Sequence, residues 1–281
     1  MRYTHAIIPQ FPQVFKPEKK QKVDVELLKK EYNVFIDILK ESGVNVIDVP
    51  TSTNQSSSLF LEDTVVMVNG TALICTLSDN ICVTEHQLAN CLEGLSWRVK
   101  KIDPLYKGKK VLLYGSDVLF TGREIFVGVR KHGTNREGAL VLSRVFCDLP
   151  VIPVQMGDKS LPLKSYISFC AANVVAVGTS KEAQNILKRI EHESTLNYKK
   201  LTLHDVDGAN AIYVNGELLF RHDHSGLYLP IEKEGVHLWP VESSQILKIT
   251  SHLSRFCIFV KNVQTINGLE IQKTTESVKS C

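Results

Sequence analysis

Short apolar runs bounded by turn residues recur along the chain, separated by longer stretches whose apolar positions fall three and four apart. The stretch Tyr114-Gly-Ser-Asp117-Val-Leu-Phe-Thr-Gly122-Arg-Glu-Ile-Phe-Val-Gly128 sets the pattern. It predicts a strand from Val118 to Phe120, a Thr121-Gly122 turn and a second strand from Ile125 to Val129. Glycine there permits the positive φ that hairpin twist requires. Leu61 to Cys75, turning at Asn69-Gly70, and His204 to Phe220, turning at Asn215-Gly216, repeat the construction. A weaker copy runs from Leu163 to Val177, with its turn near Ala172. Arg255 to Asn262 opens a fifth, and His5 to Ile8 is the candidate for the strand missing there. The turn positions 70, 122, 172, 216 and 262 recur with a period near fifty residues. One hairpin per period predicts a repeat architecture closing on itself. The N-terminal strand would complete the last repeat and remove exposed sheet edges.

Between the hairpins the period changes. Val23 to Ser42 predicts a helix with an apolar stripe of Leu27, Leu28, Val34, Phe35, Ile38 and Leu39, stopped by Gly43. Further helices are predicted over Thr84 to Gly94, Asn135 to Phe146 and Ser180 to His192, with Ser180 as N-cap, and a short one over Ser243 to Ile249. Strands are predicted at Val44 to Val49, Trp97 to Ile102 and Val151 to Val154. Alternation of helix and strand gives an α/β class. The repeats run end to end, so residues 1–281 form a single domain.

Composition adds exclusions. Hydrophobic residues make up 43% and charged residues 22%, ordinary for a globular protein, and the net charge is +3. Lysine and arginine are dispersed, which argues against nucleic acid as a partner. The Lys19-Lys20-Gln-Lys22 and Lys107-Gly-Lys-Lys110 runs read as solvated faces. The opening residues lack an apolar signal segment, and no apolar run approaches the ~18 residues of a membrane span. The seven cysteines are scattered without CxxC pairs, as expected of free thiols in a reducing, cytoplasmic compartment. Arg221-His222-Asp-His224, with His204 or His237, lacks strict ligand spacing and reads as a polar loop. No metal and no cofactor are expected, and the chain is expected as a monomer or homodimer.

Leu61-Glu-Asp63, Gly115-x-Asp117-Val-Leu-Phe-Thr-Gly-Arg-Glu-x-Phe-Val-Gly128, Leu161-x-Leu-Lys-Ser165, Ala209-Asn-x-Ile-Tyr213 and Trp239-Pro-Val241 together resemble the pentein, or guanidino-group-modifying, superfamily, and within it dimethylargininase. The resemblance covers nearly the whole chain. It implies a five-bladed α/β propeller of ββαβ modules with pseudo-fivefold symmetry and a site in the central channel. It also implies chemistry at the guanidinium carbon of methylated arginine. A cysteine thiolate attacks, a histidine shuttles protons, and carboxylates orient the histidine and hold the cation.

Carried over residue by residue, the same resemblance removes the machinery. The nucleophile position falls on Phe256, the histidine position on Pro162, the orienting carboxylate on Tyr114 and a second guanidinium-binding aspartate on Ser57. The family's substrate arginines fall around Thr76 to Thr84, where this chain has none, and His132 lies near another arginine position. Asp63 and Asp117 remain, each readable as ligand-binding or as a backbone cap. Cys257 is a rescue candidate, but strand alternation turns it away from the channel if Phe256 faces inward. The expectation is a catalytically degenerate relative that binds a small amino acid or anion, with Lys164 or Arg255 supplying positive charge, or acts through a partner. Two alternatives stand beside it: a hydrolase using Cys257, and a proton-transfer enzyme on a small keto or dicarboxylic acid using Asp63, Asp117 or His132. Bulky Phe256, Tyr114 and Pro162 also fit a channel that is simply closed.

Overall fold

A computed structural model describes residues 2–17, 22–51, 56–75, 85–203, 211–223, 228–232 and 235–261. In chain order it holds β1 (His5–Pro9), α1 (Val25–Glu41), β2 (Asn45–Val49), β3 (Val65–Val68), β4 (Thr71–Ile74), α2 (Glu85–Leu95) and β5 (Arg98–Lys101). A small hairpin of β6 (Leu105–Tyr106) and β7 (Lys109–Lys110) precedes β8 (Val118–Phe120), β9 (Ile125–Val129), α3 (Arg136–Val145) and β10 (Val151–Gln155). There follow β11 (Ile167–Ala171), β12 (Val174–Gly178), α4 (Lys181–Glu193), β13 (Lys199–Leu203), β14 (Ala211–Val214) and β15 (Glu217–Arg221). The chain then runs through α5 (Leu229–Glu232), β16 (His237–Val241), α6 (Ile246–Ile249) and β17 (Ile258–Val260).

Apart from the small hairpin, the strands form five three-stranded sheets, β3-β4-β5, β8-β9-β10, β11-β12-β13, β14-β15-β16 and β17-β1-β2. Each begins with an antiparallel pair, such as Val65 against Ile74, and ends with a parallel crossover strand, such as Thr71 beside Arg98. The fifth sheet closes the ring as the repeat pattern predicts. Its first strand is C-terminal and its second N-terminal, with His5 opposite Val260 and Ile7 opposite Ile258.

Local chemistry explains the hairpins. Asn69 and Gly70 adopt φ of 48° and 80°, and Asn215 and Gly216 adopt 53° and 92°, the doubly positive turn that matches strand twist. The predicted two-residue turn at Thr121-Gly122 is instead a four-residue connection between Phe120 and Ile125. Thr121 N and Oγ each donate to the Glu124 carbonyl, at 3.1 Å. The extra length lets the Glu124 side chain turn inward, where its buried carboxylate accepts from Tyr198 at 2.6 Å and Thr195 Oγ at 2.7 Å. The turn expected at 262 lies outside the described residues, as do His204, His224 and most of the Lys19 run.

The stripe of α1 is rotated from its predicted centre. Leu28, Tyr32, Phe35, Ile38 and Leu39 are buried, whereas Leu27 and Val34 are 39% and 41% exposed. Glu31 takes a place on the buried face because its carboxylate caps the N-terminus of α6, accepting from Gln245 N at 2.8 Å and Ile246 N at 3.0 Å. Asp24 caps α1, and Ser180 caps α4 as predicted. No helix among the described residues is long and apolar enough to cross a membrane.

Ile7 packs with Leu61, Val65, Ile258 and Val260, so it joins the fifth sheet to the first. Ile7→Ala is expected to destabilise the chain by about 2–5 kcal/mol, whereas Val34→Ala changes stability by less than about 0.5 kcal/mol. Urea unfolding of the two variants checks this; equal costs would remove Ile7 from the closure.

Candidate functional site at the module entrances

Four inner strands are preceded by a single helical turn: Leu61–Thr64 before β3, Gly115–Asp117 before β8, Leu163–Ser165 before β11 and Leu253–Phe256 before β17. The equivalent segment before β14 lies in 204–210, outside the described residues. The turns crowd together at one end of the ring. Gly115 is required there, because a Cβ at that position would collide with the Glu62 carbonyl oxygen. Each turn carries adjacent polar residues, and these sort into two networks on either side of the Leu61–Thr64 turn.

The first network centres on Glu62, a buried carboxylate. Its Oε1 accepts from Lys164 Nζ at 2.7 Å, and its Oε2 accepts from Ser254 Oγ at 3.1 Å and His252 Nε2 at 2.9 Å. With Nε2 donating, His252 Nδ1 is the acceptor for Ser251 Oγ, 3.2 Å away, and Ser251 in turn accepts from Ser165 Oγ at 2.7 Å. Burial alone would push the Glu62 pKa up. The Lys164 ammonium and the His252 hydrogen bond outweigh it and hold the group at about 2.

This network floors an axial cavity of about 140 Å³. Its walls come from all five inner strands, including Val66, Leu119, Ile167, Ile212 and Phe259. Cys257 also faces it. Its Sγ lies 3.4 Å from the Ser254 carbonyl, and burial first, then the Glu62 charge, push its thiol well above the usual range. Both causes disfavour the Cys257 thiolate.

The second network centres on Asp63. Arg255 Nε and Nη2 donate to Asp63 Oδ2 at 2.9 and 2.7 Å, and Ser116 Oγ donates to Oδ1. The Arg255 guanidinium lies 3.9 Å from the Phe60 ring centroid. A carboxylate edge and an aromatic face are the two surfaces that recognise a guanidinium. Here the guanidinium is the chain's own.

The remaining sequence candidates divide. Asp117 is fully buried, and its oxygens accept from Arg130 Nε at 2.8 Å, Leu163 N at 3.2 Å, and Thr134 N and Oγ, both at 3.0 Å. It ties the second and third modules together and has no capacity left for a ligand. His132 is exposed, and its carbonyl accepts from Arg130 Nη1 at 2.8 Å. Tyr114 is half-buried, with its hydroxyl pKa raised by burial and by the neighbouring Asp63 charge. Pro162 caps the Leu163–Ser165 turn. Ser57 sits in a turn over Ser56–Leu59. None of Asp63, Asp117 and His132 lines the axial cavity.

One expectation is reversed. Phe256 does not face the channel; it is buried edge-on against Tyr32 at 5.5 Å and beside Phe35 at 6.4 Å. The cause is the helical turn over Leu253–Phe256, which replaces strand alternation with steps of roughly 120° per residue. Arg255 then swings to Asp63, Phe256 to α1, and Cys257 to the axial cavity. Of the predicted cations, Lys164 reaches the cavity and Arg255 does not. Glu62, His252 and Ser254 escaped the sequence reading, although Glu62 stands inside the Leu61-Glu-Asp63 motif.

Because the folded pKa of Glu62 lies below its ordinary 4.5, its stabilisation is present above about pH 4.5 and is lost as pH falls toward 2. The loss is about 3 kcal/mol. Chemical denaturation across that window should show it, and Glu62→Gln should flatten the slope; an unchanged slope in the variant would contradict the network.

No family model matches the chain. Over 248 residues it is 28% identical to the putative hydrolase DDAH2 of Homo sapiens, covering 84% of this chain and 85% of that protein. The bovine (Bos taurus) protein of the same name is 27% identical over the same length, with the same coverage. Among solved structures, DDAH from Pseudomonas aeruginosa, a cysteine-to-serine mutant complexed with citrulline, superposes with a TM-score of 0.73 at 18% identity, covering 92% of this chain and 100% of that one. The substrate-bound N-terminal domain of ArgZ, a cyanobacterial arginine dihydrolase, gives 0.72 at 12% identity, covering 91% and 97%.

Proposed function

From the premise that the chain is a dimethylargininase-like protein of pentein fold, we propose that it has lost dimethylarginine hydrolysis and acts by binding a small molecule. The observation that carries this reading is the Arg255 guanidinium seated on Asp63 and stacked on Phe60. A carboxylate that would hold a substrate guanidinium is already neutralised from within. The residue turned toward it is a permanent cation, which cannot serve as a nucleophile. The free thiol in the same segment, Cys257, faces the other way into the axial cavity, where burial and the Glu62 charge disfavour its thiolate, which opposes its use as a displaced nucleophile. The exposure of His132 and the saturation of Asp117 oppose proton transfer at these residues. The axial cavity, with Lys164 at its floor, supports a small amino acid or anion as ligand. The five described cysteines are all free thiols, which supports a cytoplasmic setting.

Purified protein incubated with asymmetric dimethylarginine, at enzyme concentrations comparable to substrate, should form no citrulline. Turnover abolished by Cys257→Ser would overturn the reading. Arg255→Ala should cost about 2–3 kcal/mol, because it strands the Asp63 charge. Millimolar guanidinium should then restore part of the thermal stability, while ammonium at equal ionic strength should not. Equal responses to the two cations would mean that Asp63 holds no shaped guanidinium seat.

A further inference from the structure

The two charged groups on the floor of the axial cavity are not equally committed. Glu62 already accepts from Lys164, His252 and Ser254. Those donors use most of what a carboxylate can accept. Lys164 Nζ donates to Glu62 alone among the described residues and lines the cavity. An ammonium carries three protons, so two remain to be directed at a guest. Among the described residues, the floor therefore offers a charged donor, a carboxylate that already accepts three hydrogen bonds and the Ser254 hydroxyl. Above it the walls are mainly apolar side chains of the inner strands, among them Ile167, Ile212 and Ile258, with Ser168, Tyr3 and Tyr213 also in the lining.

Size narrows the guest further. The cavity holds about 140 Å³, close to the ~150 Å³ of an apolar cavity known to admit benzene, so a guest of roughly six non-hydrogen atoms fits. At the opposite end a small recess shares Tyr3, Met67 and Phe120 with the cavity and adds Arg2 and Lys261. These two exposed cations place positive potential at that end.

The geometry points to the axial cavity as a binding site for a short-chain aliphatic monocarboxylate, its carboxylate on Lys164 Nζ and its chain among the inner strands. This rests on the preceding reading that the protein acts by binding, and it names the ligand class. A zwitterionic amino acid fits less well, because its ammonium would compete with three donors already on Glu62 and would otherwise meet only hydroxyl oxygens among the described lining side chains. The site is distinct from the guanidinium seat: neither Asp63 nor Arg255 lines the cavity.

The test is calorimetric titration of the full chain with valerate, valeramide and norvaline, alongside the citrulline assay. Valerate should bind. The amide, which keeps the shape and loses the charge, should bind at least about tenfold more weakly, as does a ligand that forfeits one charge-assisted hydrogen bond. Lys164→Met should abolish the preference for acid over amide. Should that variant fail to fold, Ile212→Phe, which fills the cavity and leaves the floor intact, should abolish valerate binding with the fold retained. Absence of valerate binding at millimolar concentration, equal affinity for acid and amide, or undiminished binding by Ile212→Phe would each overturn the assignment. Tighter binding of norvaline than of valerate would overturn the carboxylate class while leaving a small-molecule binder. Citrulline formation would overturn the earlier reading and leave the cavity result standing on its own.

Discussion

Two successive carboxylates, Glu62 and Asp63, stand at the crowded end of the ring, and each is compensated by a cation from another module. Lys164 reaches Glu62 from the third module, and Arg255 reaches Asp63 from the entrance to the fifth. Partly buried charges of this kind are tolerated only when paired and hydrogen-bonded. The module entrances are therefore obliged to meet. The single helical turns supply the approach, and Gly115 supplies the room. The same obligation fixes where Arg255 points, and with it what the Asp63 face can offer to any other molecule.

The Leu61–Thr64 turn thus separates two environments that a single central site would merge. On one side lies a guanidinium seat already filled by a tethered arginine. On the other lies an axial cavity whose floor is polar and whose walls are the inner strands. Cys257 belongs to the second environment, although it stands only two residues from the arginine in the first. That division accounts for a chain of pentein fold whose described thiol, acids and arginine fall into two separate environments. Asp117, which stands in the motif most closely matching the family, serves instead as a buried cross-tie between Arg130, Thr134 and Leu163.

Most of the ring was legible in the sequence because each hairpin carries its own local signal. Asn69-Gly70 and Asn215-Gly216 demand positive φ, and alternation of apolar runs with helical stripes marks each module. Even the closure of the last sheet by His5–Pro9 followed from a missing partner strand. The site was less legible. Strand alternation read from Arg255 turns Cys257 away from the channel only if Phe256 faces it, and the helical turn over Leu253–Phe256 removes that condition. Nothing local marks that turn; it exists because Arg255 and Ser254 answer charges 192 residues away in sequence. Glu31 and Glu124 escaped for the same reason, each acidic by type and buried by a partner that only the fold supplies.

The claim that Arg255 occupies the guanidinium seat is tested most directly by arginine-selective nitrogen–proton correlation spectra of the intact protein. The account predicts a resolved, slowly exchanging Nε–H signal from Arg255, lost on Asp63→Asn and unmoved by asymmetric dimethylarginine. A solvent-averaged Arg255 signal, or one displaced as methylarginine is added, would contradict it.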